Sequence, residues 1–259
     1  MHATDRPSKQ KIALVTGASR GLGRSTALSL AKNGAGVIVT YIANRDAAGE
    51  VVAAIEALGQ KAVVLPLDSS DVSSFAAFAG DVKRVLAETW NSNSFDFLVN
   101  NAGTGIHAPF AQTTEAQFDE LLNVHFKGVF FLTQTLLPLI ADGGRIVNLS
   151  SGLTRFSGPG YSAYASMKGA IEVLTRYLAA ELGPRGIAVN TFAPGAIATD
   201  FGGGAVRDNA AINTHVASVT ALGRVGLPED IGPAIASLLS ADNHWINAQR
   251  IEASGGQNL

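Results

Sequence analysis

Tyr164 and Lys168 stand four residues apart in YSAYASMK, a stretch that opens an apolar-periodic helix running through Ile171, Leu174, Leu178 and Leu182. At that spacing two side chains share a helix face. An ammonium beside a phenol favours the phenolate, drawing a pKa of about 10 toward the range useful for proton transfer at neutral pH. Tyr161 is the other phenol of the segment, but its i+4 neighbour is Ala165, which has no charge to tune it. Ser150 and Ser151 close the run RIVNLSS ahead of Tyr164. A serine hydroxyl there can hold a substrate oxygen in line with the phenol, or it can simply terminate a strand, as turn serines do. No G-x-S-x-G nucleophile elbow is present, which argues against a Ser-His-Asp hydrolase.

A second group of residues has the character of a binding turn. Thr16 to Gly23 read TGASRGLG, with Gly17, Gly21 and Gly23 around Ser19, Arg20 and Leu22. Glycines let the chain turn sharply and approach a pyrophosphate, and a helix beginning there offers free N–H groups and a positive dipole end. The spacing differs from the G-x-G-x-x-G fingerprint, and taken alone it also fits an ordinary tight turn. Its place between an apolar strand and a helix favours the dinucleotide reading. The second strand ends Thr40, Tyr41, Ile42, Ala43, Asn44, Arg45, without the acid that would accept a ribose 2′-hydroxyl. Arg20 and Arg45 supply guanidinium groups suited to a 2′-phosphate, so NADP(H) is the expected cofactor. The alternative for each is a solvated surface charge.

The elements that must position these groups alternate. Short β-rich runs at 11–16, 37–41, 62–67, 95–100, 145–150, 187–193 and 249–252 are separated by helical patterns at 22–33, 46–58, 70–87, 114–140, 161–182 and 228–239. Runs such as IALVT and VIVT are apolar on both faces, as strands covered on both sides are. The expectation is an α/β, doubly wound, Rossmann-type fold with a seven-stranded parallel sheet and helices on both faces, in one domain over 11–259. Gly34 and Gly59 are placed to stop helices, Pro138 to end or bend one, and Pro228 to start one ahead of Glu229 and Asp230. Residues 196–219, AIATDFGGGAVRDNAAINTHVASV, carry a glycine triplet and a weak helical pattern, and the expectation is a mobile loop serving as a substrate lid. Residues 1–10 are polar and lack a signal-peptide core; the expectation is a disordered tail.

Composition narrows the class. The chain has 259 residues, 47% hydrophobic and 15% charged, with net charge −2 and no cysteine. The apolar surplus points to buried subunit interfaces and a homo-oligomer. With no basic stripe, nucleic acid is not an expected partner. No run of about 18 apolar residues implies a membrane span. Lack of cysteine excludes thiolate metal sites and disulfides and fits a cytoplasmic location. No metal is expected.

Together TGASRGLG, Asn100-Asn101-Ala102-Gly103, Ser151, Tyr164 with Lys168, Pro194-Gly195 and the closing GRVGLPEDI and SGG resemble a short-chain dehydrogenase/reductase of the compact, single-domain, ketoreductase-like sort. The resemblance spans nearly the whole chain. It implies hydride transfer between NADP(H) and a carbonyl or secondary alcohol substrate. Tyr164 would be the general acid/base, Ser151 would orient the oxygen, and Lys168 would tune Tyr164 and bind the nicotinamide ribose. Asn101, Ala102 and Gly103 would line the cofactor channel, Asp68 and Ser69 would bracket the adenine, and Pro194, Gly195, Ile197 and Thr199 would embrace the nicotinamide. The resemblance also implies a dimer or tetramer built through the fourth and fifth helices. In VHFKGVF this chain has His125 where the family usually has a relay asparagine, with Asn123 two residues out of register. Imidazole binds water and can titrate near neutrality, so the expectation is a working but altered relay; the other reading is a packed helix histidine. Ala248 replaces a common glycine, which should only tighten a turn. Arg155 and His107 are the obvious polar candidates for substrate contact. The alternative from a different class is a catalytically impaired dinucleotide-binding sensor or scaffold.

Overall fold

Why the strands are apolar on both faces is explained by what covers them. A computed structural model describes residues 10–259, so of the tail expected at 1–10 all but Gln10 lies outside the described residues. The strands are β1 (Ile12–Val15), β2 (Gly36–Tyr41), β3 (Ala62–Pro66), β4 (Phe95–Asn100), β5 (Ile140–Leu149), β6 (Ala188–Pro194) and β7 (Arg250–Ala253). They form one all-parallel sheet in the order β3-β2-β1-β4-β5-β6-β7. Successive side chains point to opposite faces, and each set has its own core. Ala13, Val15, Val37 and Val39 pack with helices α1 (Gly21–Lys32), α2 (Arg45–Ala57) and α9 (Pro228–Leu238). Ile12, Leu14, Ile38 and Leu98 pack with α3 (Phe75–Trp90), α5 (Gly128–Leu136) and α6 (Ser162–Leu182).

Strand order reverses at β1, whose neighbours are β2 on one side and β4 on the other. The connections leaving β1 and β4 therefore diverge and open a crevice at their carboxyl ends, where ligands of doubly wound sheets bind. Gly34 and Gly59 adopt φ of +89° and +80° just past α1 and α2, the left-handed stops expected of them. Pro228 begins α9, and the Asp230 carboxylate accepts from the Leu227 N–H.

Four expectations need correction. The helix expected over 114–140 is α4 (Glu115–Leu122), a π-helical turn at Asn123–Lys127 and α5, then a 3-10 turn at Leu137–Leu139 containing Pro138. β5 begins at Ile140, five residues earlier than its periodicity indicates, because Phe95 pairs with Ile140 through an irregularity in the β4 ladder. Ala248 sits at φ +58°, so the missing glycine leaves a strained left-handed residue rather than only a tighter turn. Residues 196–219 are also largely helical, with a 3-10 turn at Phe201–Gly204, then α7 (Ala205–Asp208) and α8 (Ala210–Ser218). Its glycine triplet masked the pattern, since Gly202, Gly203 and Gly204 all have positive φ and break the period between short helices. Among the described residues no helix is long and apolar enough to cross a membrane. No group of three or more His, Asp or Glu among them could hold a metal ion.

Candidate active site

The turn after β1 is tied to the end of β4. The Thr16 hydroxyl accepts from the N–H groups of Asn101 and Ala102, both at 2.9 Å, while the Asn101 amide donates to the carbonyls of Thr16 (2.8 Å) and Gly17 (3.3 Å). Gly17 has φ +62°, and a Cβ on it would lie 3.0 Å from Ala102 Cα. A Cβ at Gly23 would collide with the Gly17 carbonyl oxygen. These glycines exist because β1, β4 and α1 converge too closely for side chains. No side chain caps the N-terminus of α1, so its positive end is open to an anion.

A cleft of about 600 Å³ opens above this turn, lined on one side by Gly17, Ser19, Arg20, Gly21, Leu22 and Tyr41. Its next stretch contains Asp68, Ser69, Asn101, Ala102 and Gly103, and its far end contains Pro194, Gly195, Ile197 and Thr199. Ser151, Tyr164, Lys168 and His125 line the same space. Three expected residues do not. Gly23 is buried within the turn. Asn44 is occupied as the cap of α2, accepting from the Ala47 N–H at 2.9 Å. Arg45 is the exposed first residue of that helix. Ile42, 70% exposed, holds the cleft edge beside Tyr41 instead. Arg20 extends from the turn to place Nη1 3.4 Å from Asp200 Oδ2.

The reacting wall is built from β5 and α6. Ser151 follows the end of β5, and its hydroxyl accepts from the Leu153 N–H at 3.2 Å. Tyr164 and Lys168, both buried, lie one turn apart on α6. The Lys168 ammonium donates to the Leu149 carbonyl at 2.7 Å and sits 5.7 Å from the centre of the Tyr164 ring. Burial moves both groups toward their neutral forms. The Lys168 pKa is lowered to about 7 by desolvation. Desolvation raises the Tyr164 pKa well above its ordinary value, the Ser151 hydroxyl offsets part of the rise, and Tyr161 adds to it. The expected drop in the phenol's pKa is thus absent: the ammonium is itself desolvated and is spent on a backbone carbonyl.

His125 lies in the π-turn, which re-aims one residue of an otherwise continuous helix; such turns recur at functional sites. It is 1% exposed, its ring meets the Tyr164 ring edge-on at 5.1 Å, and Nε2 is 2.7 Å from the Thr104 carbonyl oxygen. With the Nε2 proton donated there, Nδ1 is an acceptor, and it has no hydrogen-bond partner among the described residues. Burial, then the charge of Lys168, lower the imidazole pKa to about 3. The expectation that it titrates near neutrality is overturned, and His125 is a neutral acceptor.

Two polar candidates for substrate contact separate. Arg155 does not line the cleft and is engaged elsewhere, donating to both oxygens of Glu252 (2.8 and 2.7 Å) and to the carbonyls of Gln257 and Asn258. His107 packs against Tyr161 at 5.0 Å in a second cavity of about 570 Å³ that also holds Phe110 and Leu153. Phe201 was not singled out by sequence reasoning, yet its ring lies 5.6 Å from that of Tyr164, and a Cβ on Gly105 would come within 2.6 Å of it. The pairing of a lone aromatic with the glycine triplet after a Pro-Gly strand end was the available signal. Glu172, which accepts from the Ser150 hydroxyl and from Arg250, was also missed and gave no signal in the sequence.

The family model described as enoyl-(acyl carrier protein) reductase matches residues 17–258. The chain is 36% identical over 265 residues, 98% of its length and 97% of the relative's, to hydroxynaphthalene reductase-like protein Arp2 of Metarhizium brunneum. Among solved structures it superposes with TM-score 0.91 on the promiscuous reductase LugOII, which catalyses keto-reduction at C1 during lugdunomycin biosynthesis. That match is 39% identical and covers 96% of this chain and 98% of the other. The angucycline C-6 ketoreductase LanV with bound NADP gives TM-score 0.91 at 37% identity, covering 96% and 95% of the two chains. LanV has also been solved with NADP and rabelomycin.

Proposed function

The chain belongs to the short-chain dehydrogenase/reductase family, and on that premise we propose that it is an NADP(H)-dependent ketoreductase acting on polycyclic aromatic ketones. The observation that carries this reading is the buried wall of Ser151, Tyr164 and Lys168 facing a cleft that starts at an uncapped helix N-terminus. The cleft fits the dinucleotide. The turn from Gly17 to Leu22 would receive the pyrophosphate, Arg20 the 2′-phosphate, Asp68 and Ser69 the adenine, Asn101 to Gly103 the middle of the molecule, and Pro194, Gly195, Ile197 and Thr199 the nicotinamide. Gly23, Asn44 and Arg45 lie outside the cleft lining. The bound nicotinamide supplies the hydride for the carbonyl carbon.

The residues manage the proton. A phenol whose pKa is raised is fully protonated at neutral pH, the state a general acid needs. Tyr164 donates its proton to the substrate oxygen while the Ser151 hydroxyl hydrogen-bonds the same oxygen and aligns it. The charged form of Lys168, whose pKa is lowered to about 7, stabilises the phenolate as it forms; Lys168 then passes a proton to the Tyr164 oxygen and takes one back from solvent. The His125 ring, buried and neutral at the pH of the reaction, takes up no further proton itself, so re-protonation runs past it and not through it.

The substrate class is supported by the relatives, named for hydroxynaphthalene and angucycline reduction, and by aromatic surface, Phe201 beside Tyr164 in the cleft and Tyr161 and Phe110 in the second cavity. A homo-oligomer is supported by exposed apolar side chains on α4, α5 and α6, Phe118, Phe130, Phe131, Val173 and Tyr177. The test is consumption of NADPH and of NADH by the purified protein with α-tetralone and larger fused-ring ketones. Turnover with NADPH preferred is the expected result. Tight NADPH binding with no turnover on any ketone would favour a non-catalytic dinucleotide-binding protein.

A further inference from the structure

Ser151 must hold its hydroxyl against Tyr164, yet it lies just beyond the last residue of β5, where the sheet no longer fixes the chain. What restrains it is a carboxylate outside the cleft. Glu172 is on α6 four residues past Lys168 and eight past Tyr164, so all three lie along one face of the helix. Its Oε1 accepts from the Ser150 hydroxyl at 2.7 Å and from Arg250 Nε at 2.8 Å. The Thr154 hydroxyl lies 2.7 Å from the same oxygen and 2.9 Å from the Ser151 carbonyl, so its one proton serves either. Arg250 reaches across from β7 and donates through its second terminal nitrogen to the Ser151 carbonyl at 3.2 Å. Arg250 is held in turn by Glu252 at 2.8 Å, to which Arg155 donates through Nε and Nη2.

Residues 150, 151 and 154 are thus tied to the helix that carries Tyr164 and Lys168. The Glu172 and Arg250 side chains are 16% and 25% exposed, and charge-assisted bonds in such surroundings are stronger and more directional than neutral ones. We propose that Glu172, together with Arg250, is the positioning pair for the Ser151 hydroxyl. This rests on the ketoreductase reading above, in which Ser151 aligns the substrate oxygen. Neither residue touches substrate; each acts through the serine backbone. A misplacement of about 1 Å at a reacting group costs on the order of a hundredfold in rate, so partial loosening of this tie is felt in turnover.

The experiment is a double-mutant cycle on the full chain, with Glu172→Gln, Ser151→Ala and the double variant assayed for kcat, KM and NADPH affinity. Glu172→Gln lowers kcat about tenfold by the same positional sensitivity, with NADPH affinity unchanged. In the Ser151→Ala background the same substitution costs nothing further, because there is no hydroxyl left to position. Glu172→Asp, which keeps the charge but shortens the reach, falls between. Arg250→Lys provides a second route should Glu172→Gln fold poorly: its ammonium cannot reach Glu172, Glu252 and the Ser151 carbonyl together, and its kcat loss also vanishes without Ser151. An equal loss in both backgrounds, an unchanged kcat, or a parallel loss of NADPH affinity overturns the proposal. Wild-type turnover in the same assay separates the two claims. An active wild type with additive effects sinks only the positioning role, and an inactive wild type sinks both.

Discussion

In the wall of Ser151, Tyr164 and Lys168 every polar group is buried or bonded into the sheet and α6, while in residues 196–219, the cover, which line the cleft through Ile197, Thr199, Phe201 and Val206, the charged groups Asp200, Arg207 and Asp208 are exposed and pair with each other. Lys168 is 5% exposed and tied to Leu149; Asp200, on the cover, is exposed and joins Arg20 at 3.4 Å and Arg207 at a closer contact. The wall's arrangement opposes ionisation, and the cover's costs little to rearrange, since exposed ion pairs contribute little and three consecutive left-handed glycines free the backbone. The difference teaches that chemistry is held by the part that gives up stability for it, and access by the part that has little to lose.

The sharpest break of this contrast is Lys168→Met. Turnover falls by a factor of about 10² to 10⁴, while the fold becomes more stable because a desolvated cation is gone. The sign follows from the lowered pKa. Between pH 7 and the unfolded value of about 10.5 the unfolded chain binds a proton that the native state does not, so the penalty of charging Lys168 is complete below pH 7 and fades as pH rises through that window. Thermal unfolding of the variant should therefore exceed wild type most at pH 6 and least above pH 10. A variant that is less stable at pH 6 would mean the wall is not strained.

On the cofactor side, Arg20→Ala is expected to weaken NADPH binding by about tenfold, the worth of one charge-assisted contact to phosphate, and to leave NADH binding unchanged. Arg45→Ala should alter neither, and fluorescence titration with the two nucleotides checks both. His125→Asn tests the wall at low pH. With the imidazole pKa lowered to about 3, the unfolded chain binds more protons than the native state between about pH 3 and 6.5, so stability drops as pH falls through that range. The asparagine variant loses that component of the slope, measurable by denaturant unfolding at pH 4 and 6. The smallest effect belongs to the cover: Asp200→Asn frees Arg20 and should tighten NADPH about two- to fivefold, within the range of an exposed pair, with less effect on NADH.

The same contrast explains what could be read without coordinates. Tyr164, Lys168 and the glycine turn were legible because their chemistry depends on local spacing, and the strands because covered sheets leave continuous apolar runs. The π-turn at Asn123–Lys127 was hidden, since one extra residue in a helix leaves the apolar pattern almost intact while rotating His125 toward Tyr164. Arg45 looked equivalent to Arg20 in sequence, but Arg20 lines the cleft and Arg45 is the exposed first residue of the helix that Asn44 caps. Glu172 and Arg250 are 78 residues apart, and only the pairing of β6 with β7 brings them together.

The central claim is tested most directly with Tyr164→Phe, which removes one oxygen from a buried ring and little else. NADPH affinity and ketone turnover are measured on the same preparation. The account predicts wild-type affinity with turnover reduced to background, and a variant that binds NADPH normally and still reduces ketones at the wild-type rate would contradict it.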